Sequence, residues 1–263
     1  MTDAALMLAH GTGHYCERLP SQPLRKHFSR AWINRAGGQN PIVVVPDGAV
    51  DLQWMGGRWR IAGPDRGPQT ETLAAGMTVI GFRFQPGAAS GWLGPAMSGL
   101  CDQRVWLEDI WGPAGRRADR AARACDPKYL VVQLEQVLAG LAGTMPLPRP
   151  DLQSAHLILS DGPPPGRDIV PHLMAELGMS ERTLRRQFEA SFGYGPKTLH
   201  RILRFQRYLR LARENPAHTI GRLAADAGYA DQPHLIRECR RLAHCLPSQL
   251  PHAPVKDMPA PGL

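Results

Sequence analysis

One short pattern occurs twice in the last third of the chain, as GMSERTLRRQFEASFGYGPKTL from Gly178 and as GYADQPHLIRECRRLAHCLPSQL from Gly228. Each copy starts with Gly, passes through a small polar turn to a Leu and paired Arg residues, and closes on a Pro. Gly permits the left-handed backbone that ends one helix abruptly, and Ser180 or Asp231 supplies the oxygen that caps the next helix. The repeated pattern therefore predicts two helix-turn-helix units.

The apolar spacing in each copy separates a buried face from a polar one. Leu184 and Phe188 in the first copy, and Leu235 and Cys239 in the second, stand four residues apart and are predicted to face the core. The side chains left on the outside are Arg182, Arg185 and Arg186 in the first copy and Gln232, His234, Arg237 and Arg240 in the second. We therefore expect the second helix of each unit to present a basic face to solvent.

The segment between the copies predicts one long helix. Residues 196–213 carry Leu, Ile, Phe and Tyr at helical spacing. Eighteen helical residues span about 27 Å at a rise of ~1.5 Å each, and major-groove faces on one side of B-DNA recur at roughly 34 Å. A stiff helix of this length would hold two recognition helices one DNA turn apart in a single monomer, without the ordering entropy that a flexible linker costs.

The charge distribution favours a polyanionic partner. The formal net charge is +8, and residues 168–250 hold 13 basic and 8 acidic side chains, so that +5 of the +8 lies in this third of the chain. All of those basic residues except Lys197 are Arg, the side chain best suited to bidentate contacts with guanine and phosphate. Double-stranded DNA is the expected partner.

The sequence predicts a cytoplasmic protein that makes no membrane contact. It contains no continuous apolar run near eighteen residues, and its first twenty residues lack the basic start of a signal peptide. The five cysteines are scattered and form no CxxC pair, which is typical of reduced, mostly buried thiols.

The front part of the chain has a different composition, because all six tryptophans lie before residue 112. Apolar or alternating segments that predict strands are separated there by Gly and Pro turns; they are 42–45, 50–54, 59–61 and 79–84. Gly56-Gly57 is typical of a two-residue hairpin turn. We therefore expect a small antiparallel β barrel or sandwich over residues 1–112.

The remaining boundaries complete the predicted organisation. Residues 113–149 have Leu at helical spacing and predict a helical connector. Residues 150–250 form the all-α domain with both helix-turn-helix units, and the Pro-rich tail, 251–263, is expected to be disordered. The predicted fold class is therefore α+β: an N-terminal antiparallel barrel or sandwich, a helical linker and a C-terminal all-α domain.

Five stretches in the last hundred residues match a known pattern in order and spacing: LGMSERTLRRQF, SFGYGPKTL, RILRFQRYLRL, IGRLAADAGYADQPHLIRECRRL and LPSQ. Together they resemble the AraC/XylS family of transcription regulators. The resemblance implies that DNA is contacted by Arg182, Arg185 and Arg186 in the first unit and by Gln232, Pro233, His234 and Arg237 in the second. The chain departs from the family pattern at Met174, Cys239 and His244, where Ala, an aromatic residue and Gly are usual.

The front half, through VVPDGAVDLQW, AGPD, GFRFQPGAA and VWLEDIWG, resembles an N-terminal module of some members of that family. The resemblance implies a cupin-like small barrel that senses a small molecule or mediates dimerisation. Catalytic cupins hold a metal with several His, but no His lies between Phe28 and Ala155. We therefore expect neither a metal, nor a cofactor, nor an enzymatic activity.

Three groups of polar residues allow a second interpretation. Two of them contain residue types that bind metals or respond to oxidation, namely His10, His14 and Cys16, and Cys239, His244 and Cys245. Incidental placement is favoured for the first group, and core packing for the second. The third group could line a ligand pocket, although turn and ion-pair roles are favoured; it comprises Asp47, Asp51, Asp65 and Arg83.

The sequence thus predicts a DNA-binding transcription regulator that reads two successive major grooves and responds to an effector at its N-terminal module. The residues that would bind the effector are unknown. The alternative is a DNA-binding domain fused to a DNA-repair alkyl acceptor or another enzymatic module, which needs an activated cysteine; none of the five has a suitable neighbour in sequence. The sequence does not decide whether RNA polymerase or a second copy of the chain is a further partner. It also does not decide between activation and repression.

Overall fold

The computed structural model describes residues 14–38, 41–162, 167–250 and 256–257. The strands are β1 (His14–Arg18), β2 (Phe28–Arg35), β3 (Ile42–Val44), β4 (Asp51–Met55), β5 (Arg58–Ala62), β6 (Gln69–Glu71), β7 (Thr78–Phe84), β8 (Arg104–Trp106) and β9 (Lys256–Asp257). The helices are α1 (Ala89–Leu93), α2 (Leu107–Trp111), α3 (Pro113–Arg123), α4 (Leu130–Ala142), α5 (Pro150–Asp161), α6 (Ile169–Leu177), α7 (Glu181–Phe192), α8 (Pro196–Glu214), α9 (Ile220–Asp226) and α10 (Gln232–Ala243). No helix in these ranges is both long and apolar enough to span a membrane.

The N-terminal strands form an open sheet. Among the described residues its order is β8-β5-β4-β7-β2-β1-β9, and β3 pairs separately with β6. The neighbours are antiparallel except for β1 and β9, which run parallel. The predicted antiparallel strands and the turn at Gly56-Gly57 are present, but the sheet does not close into a barrel, which leaves the sandwich-like alternative.

The predicted disordered tail, 251–263, lies outside the described residues except for Lys256–Asp257. These two residues form β9 and pair with Cys16 and Glu17 of β1. The expectation of disorder for the rest of the tail stays a prediction.

An aromatic cluster fills the space beside the central strands. Phe28 contacts Phe82, Phe84 and Trp92, with ring centroids 4.6–6.0 Å apart. On β2, Trp32 lies directly across Gly81 of β7, and a Cβ at position 81 would come within 2.0 Å of the indole ring. Glycine is therefore required there by the packing of a tryptophan on the neighbouring strand.

The predicted helical connector packs against the N-terminal module. Ala118 and Ala122 of α3 and Leu134 and Leu138 of α4 belong to the same buried cluster as the aromatic residues of the sheet. Glu135 of α4 is buried and accepts hydrogen bonds from both terminal nitrogens of Arg18, each 3.0 Å long. The two hydrogen bonds offset part of the desolvation penalty of burying this carboxylate.

The all-α domain has its own core and also touches the N-terminal module. A separate buried cluster joins residues of α5 to α10. The Sγ of Cys101 donates to the carbonyl oxygen of Gly193 at 3.0 Å, and the amide of Gln206 donates to the carbonyl oxygen of Pro46 at 2.7 Å. Gly193 has φ +86°, and a Cβ there would lie 2.6 Å from the Cγ of Pro64. The two halves are therefore in close contact.

The Trp32–Gly81 contact gives a stability test. Gly81→Ala should lower the free energy of unfolding by about 2 kcal/mol, because the added methyl group overpacks the indole ring. Gly67→Ala is the matched control, since a Cβ at position 67 meets nothing within 4 Å, and it should change stability by less than about 0.5 kcal/mol. Urea denaturation measures both, and equal values would contradict the packing account.

Candidate nucleic-acid interface

The first helix-turn-helix unit forms as the sequence predicts. Its first helix, α6, ends at Gly178, whose backbone is left-handed with φ 61° and ψ 33°. The Oγ of Ser180 then accepts a hydrogen bond from the backbone N–H of Thr183 at 3.3 Å and caps α7. Asp168 occupies the position before α6, but its side chain makes no capping bond. Leu184 and Phe188 are fully buried, as predicted.

The three predicted DNA-contacting arginines of this unit are exposed. Arg182, Arg185 and Arg186 all lie on the solvent side of α7. Arg185 donates to Glu189 one turn later at 2.9 Å, and this carboxylate raises the pKa of Arg185. Within the described part of the chain, neither Arg182 nor Arg186 has an ion-pair partner. These two charges are therefore available to an anion without breaking an existing pair.

The second unit is capped in the same way. Thr219 accepts from the backbone of Arg222 at 3.3 Å and caps α9, and Asp231 accepts from the backbone of His234 at 2.6 Å and caps α10. Pro233 is the second residue of α10, where a missing N–H has no intrahelical partner to lose. The predicted inward pair of this unit is also fully buried.

The predicted contact residues of the second unit fall into two groups. Gln232, Pro233 and Arg237 are exposed, whereas His234 is half-buried. The Nε2 of His234 lies 3.3 Å from Nη2 of Arg204, and its ring meets the edge of Tyr229 with centroids 5.2 Å apart. Burial and then the charge of Arg204 lower the pKa of His234. His234 is thus held in place as a neutral ring at the start of α10.

The linking helix α8 contacts both units. Its apolar side is buried; the residues include Leu199, Ile202, Leu203, Phe205, Tyr208, Leu209 and Ala212. From its polar side, Arg201 pairs with the buried carboxylate of Glu238 in α10 at 3.5 Å. Arg207 donates to the carbonyl oxygen of Ser160 at the end of α5. These contacts fix α10 and α5 relative to the linking helix.

Arg204 lies beside the predicted contact residue His234, although the sequence does not single it out. It lies on α8, and its guanidinium stacks over the ring of Tyr229 at 4.6 Å. Its helical spacing marks it as outward-facing, but only the folded structure brings it next to His234. The contact joins two residues thirty positions apart.

Asp47, Asp51 and Asp65 all form ion pairs with arginines. Arg83 pairs with Asp47 at 2.7 Å and with Asp51 at 3.2 Å, and Asp65 pairs with Arg104 at 2.8 Å. No group of three or more His, Cys, Asp or Glu residues in the part of the chain that the structure describes is placed to hold a metal ion. Cys239 and Cys245 are buried in the core, whereas His10 lies outside the described residues.

Comparisons with known proteins match both halves of the chain. Residues 173–252 match the family described as a helix-turn-helix domain, and residues 17–106 match a domain of unknown function, DUF6597. Among curated proteins, none matches the chain.

Among solved structures, the chain is similar to several of ToxT from Vibrio cholerae. An apo variant is 13% identical and covers 88% of this chain and 98% of its own, with a TM-score of 0.47. Another ToxT structure is 11% identical and covers 82% and 94%, with a TM-score of 0.45. A third, bound to an unsaturated fatty acid, is 12% identical and covers 89% and 92%, with a TM-score of 0.41.

The cap of α10 can be tested by two substitutions at one position. Asp231→Ala should lower the free energy of unfolding by about 1 kcal/mol, because the backbone N–H of His234 loses its acceptor. Asp231→Asn keeps an acceptor oxygen and should lower the free energy of unfolding by only about a few tenths of a kcal/mol. Chemical denaturation compares the two, and equal losses would mean that the hydrogen bond is not the source of the stability.

Proposed function

We propose that this chain is a transcription regulator of the AraC/XylS type and reads two successive major grooves of DNA with α7 and α10; the helix-turn-helix match over residues 173–252 supports this. The supporting observation is that two capped helices with exposed arginines both pack on α8. At 19 residues, α8 is about 28 Å long, close to the roughly 34 Å repeat of B-DNA.

The ion pairs of the all-α domain support this proposal. Arg185, Arg201 and Arg222 are paired with carboxylates. In the described part of the chain, the exposed arginines of the recognition helices without an ion pair are Arg182 and Arg186 on α7 and Arg237, Arg240 and Arg241 on α10. Among the described residues, the two helices proposed to enter DNA therefore carry five arginines without an ion pair, and arginine there can contact guanine edges or phosphates.

The proposed role of Arg186 predicts a loss of specific binding. Arg186→Ala should weaken binding to a selected operator by ~1–3 kcal/mol if the side chain contacts a base. Arg117→Ala removes an exposed arginine from α3 in the N-terminal half and should leave the affinity unchanged. The operator is first selected from random duplexes, and fluorescence anisotropy then measures both variants. Equal affinities for the two would remove Arg186 from the reading surface.

A cavity at the junction of the two halves is the site we propose for an effector. It has a volume of about 470 Å³, which is within the range of small-molecule sites. Phe84 and Ala49 line it from the N-terminal module, and Phe192 and Leu203 from the all-α domain. A ligand bound there would touch the end of α7 and the middle of α8, so its binding would be coupled to the arrangement of the DNA-binding helices.

The chemistry of this cavity favours a small, mostly apolar molecule with one polar group. The carboxylates of Glu17 and Asp47 already pair with Arg30 and Arg83 in its wall. Burial lowers the pKa of the lining His156 to about 4, so this ring is neutral at physiological pH. It offers a hydrogen bond rather than a charge to a ligand.

Filling the cavity should separate effector response from DNA binding. We expect a library of small apolar compounds to contain molecules that raise the melting temperature of the wild-type chain. Ala49→Phe should abolish that shift, because the ring occupies the space of the ligand, while operator affinity without ligand stays within about twofold. Shifts that persist unchanged in the Ala49→Phe variant would show that the compounds bind elsewhere.

The cysteine chemistry counts against the alkyl-acceptor alternative. Burial raises the pKa of every one of the five thiols, to about 11 for Cys101 and about 12 for Cys239. A nucleophilic cysteine needs the opposite shift, because the thiolate is the reacting species. All five cysteines are free, which agrees with a proposed cytoplasmic location. RNA polymerase and a second copy of the chain are further proposed partners.

A further inference from the structure

A second cavity lies between the two helix-turn-helix units, with a volume of about 670 Å³. Its floor is the polar side of α8. One wall is the segment leading into α6, from Arg167 to Ile169, and the other is the turn of the second unit, from Gly228 to Ala230, together with His234. This cavity, called here the inter-unit cleft, is therefore continuous with the start of the second recognition helix.

The inter-unit cleft is lined mainly by positive charge. Lys197, Arg204 and Arg207 line it from α8, and Arg167 faces them from the wall. The acidic side chains in its lining are Asp161 and Asp168. Arg167 and Lys197 are exposed, and within the described ranges neither of them has an ion-pair partner. Such an arrangement attracts an anion from solution.

The two inner arginines are held in position by neutral groups. Arg204 stacks on Tyr229 and donates to the carbonyl oxygen of Gly228 at 3.5 Å, and Arg207 donates to the carbonyl oxygen of Ser160. Carbonyls rather than carboxylates accept these hydrogen bonds, so within the described residues neither guanidinium group has an ion-pair partner. The buried Nε–H of Arg204 has no acceptor within the described part of the chain.

The same positive charges act on a neighbouring histidine. His200 lines the cleft, and its pKa is lowered to about 4 by burial and then by the charges of Arg204 and Arg207. It stays neutral at physiological pH and adds no repulsion to the existing cations. A phosphate group would satisfy these donors better than a neutral ligand, because hydrogen bonds between charged partners are the stronger ones.

We propose that the inter-unit cleft binds the DNA backbone between the two major grooves, with Lys197, Arg204 and Arg207 contacting phosphate oxygens and Arg167 assisting from the wall. The inference rests on the proposed function, because it assumes that α7 and α10 occupy successive grooves of one duplex. The strand between those grooves then passes α8, and its phosphates fix the register of both helices without carrying sequence information.

A backbone contact has a signature that differs from that of base reading. The test uses Lys197→Gln and Arg167→Gln, since neither side chain has a structural partner among the described residues. Arg210→Gln is the control, because Arg210 is exposed on the same helix but does not line the cleft. Affinity is measured between 50 and 200 mM salt, for the selected operator and for a scrambled duplex. Circular dichroism melts verify that all variants are folded.

Each cleft variant should reduce the slope of log K against log salt by about 0.9, the value for one phosphate contact. At 0.15 M salt this corresponds to roughly a fivefold loss of affinity, similar for the operator and the scrambled duplex. The control should keep the wild-type slope. Unchanged slopes in both cleft variants, with wild-type sequence preference intact, would overturn the cleft proposal alone.

Two further outcomes are informative. If the wild-type chain shows no preference for any selected duplex, the proposed function itself fails. If inorganic pyrophosphate raises the melting temperature of the wild type but not of Lys197→Gln, while the DNA slopes of the two are equal, the cleft is a site for a free anion. That result also overturns the proposal of a DNA contact.

Discussion

The buried face of α8 is the constraint on which the DNA-binding half depends. Leu199, Phe205 and Tyr208 are essentially inaccessible to solvent, and helices from both helix-turn-helix units pack around them. The buried residues of both units belong to one cluster, so each unit is stabilised by packing against this one helix. The same packing leaves the polar side of α8 between the two units, where the arginine side chains collect.

Local chemistry explains why much of the DNA-binding half was predictable. Ser180, Thr219 and Asp231 cap the helices that follow them, because a side-chain oxygen at that position satisfies a backbone N–H within three residues. Gly178 adopts the predicted left-handed backbone for an equally local reason. The spacing of Leu184 and Phe188 then decided which face is buried. Such features need no knowledge of distant parts of the chain.

The features that the sequence did not reveal depend on distant contacts. Alternating strands do not specify whether a sheet closes, so the barrel and the sandwich could not be separated before the strand order was known. The pairing of Arg18 with Glu135 joins residues 117 positions apart. Likewise, the inter-unit cleft is assembled from α5, α6, α8 and the turn before α10, and the position of Arg204 beside His234 follows from that assembly.

The hydrogen bond from Gln206 to the carbonyl of Pro46 has a thermodynamic consequence. It ties α8 to the turn that also forms part of the junction cavity, where Gly48 lies against Leu199 and Leu203. Any molecule whose occupancy of that cavity alters operator affinity must itself be bound more or less tightly, by the same factor, when the operator is present. Operator DNA would then change the affinity of the regulator for its ligand.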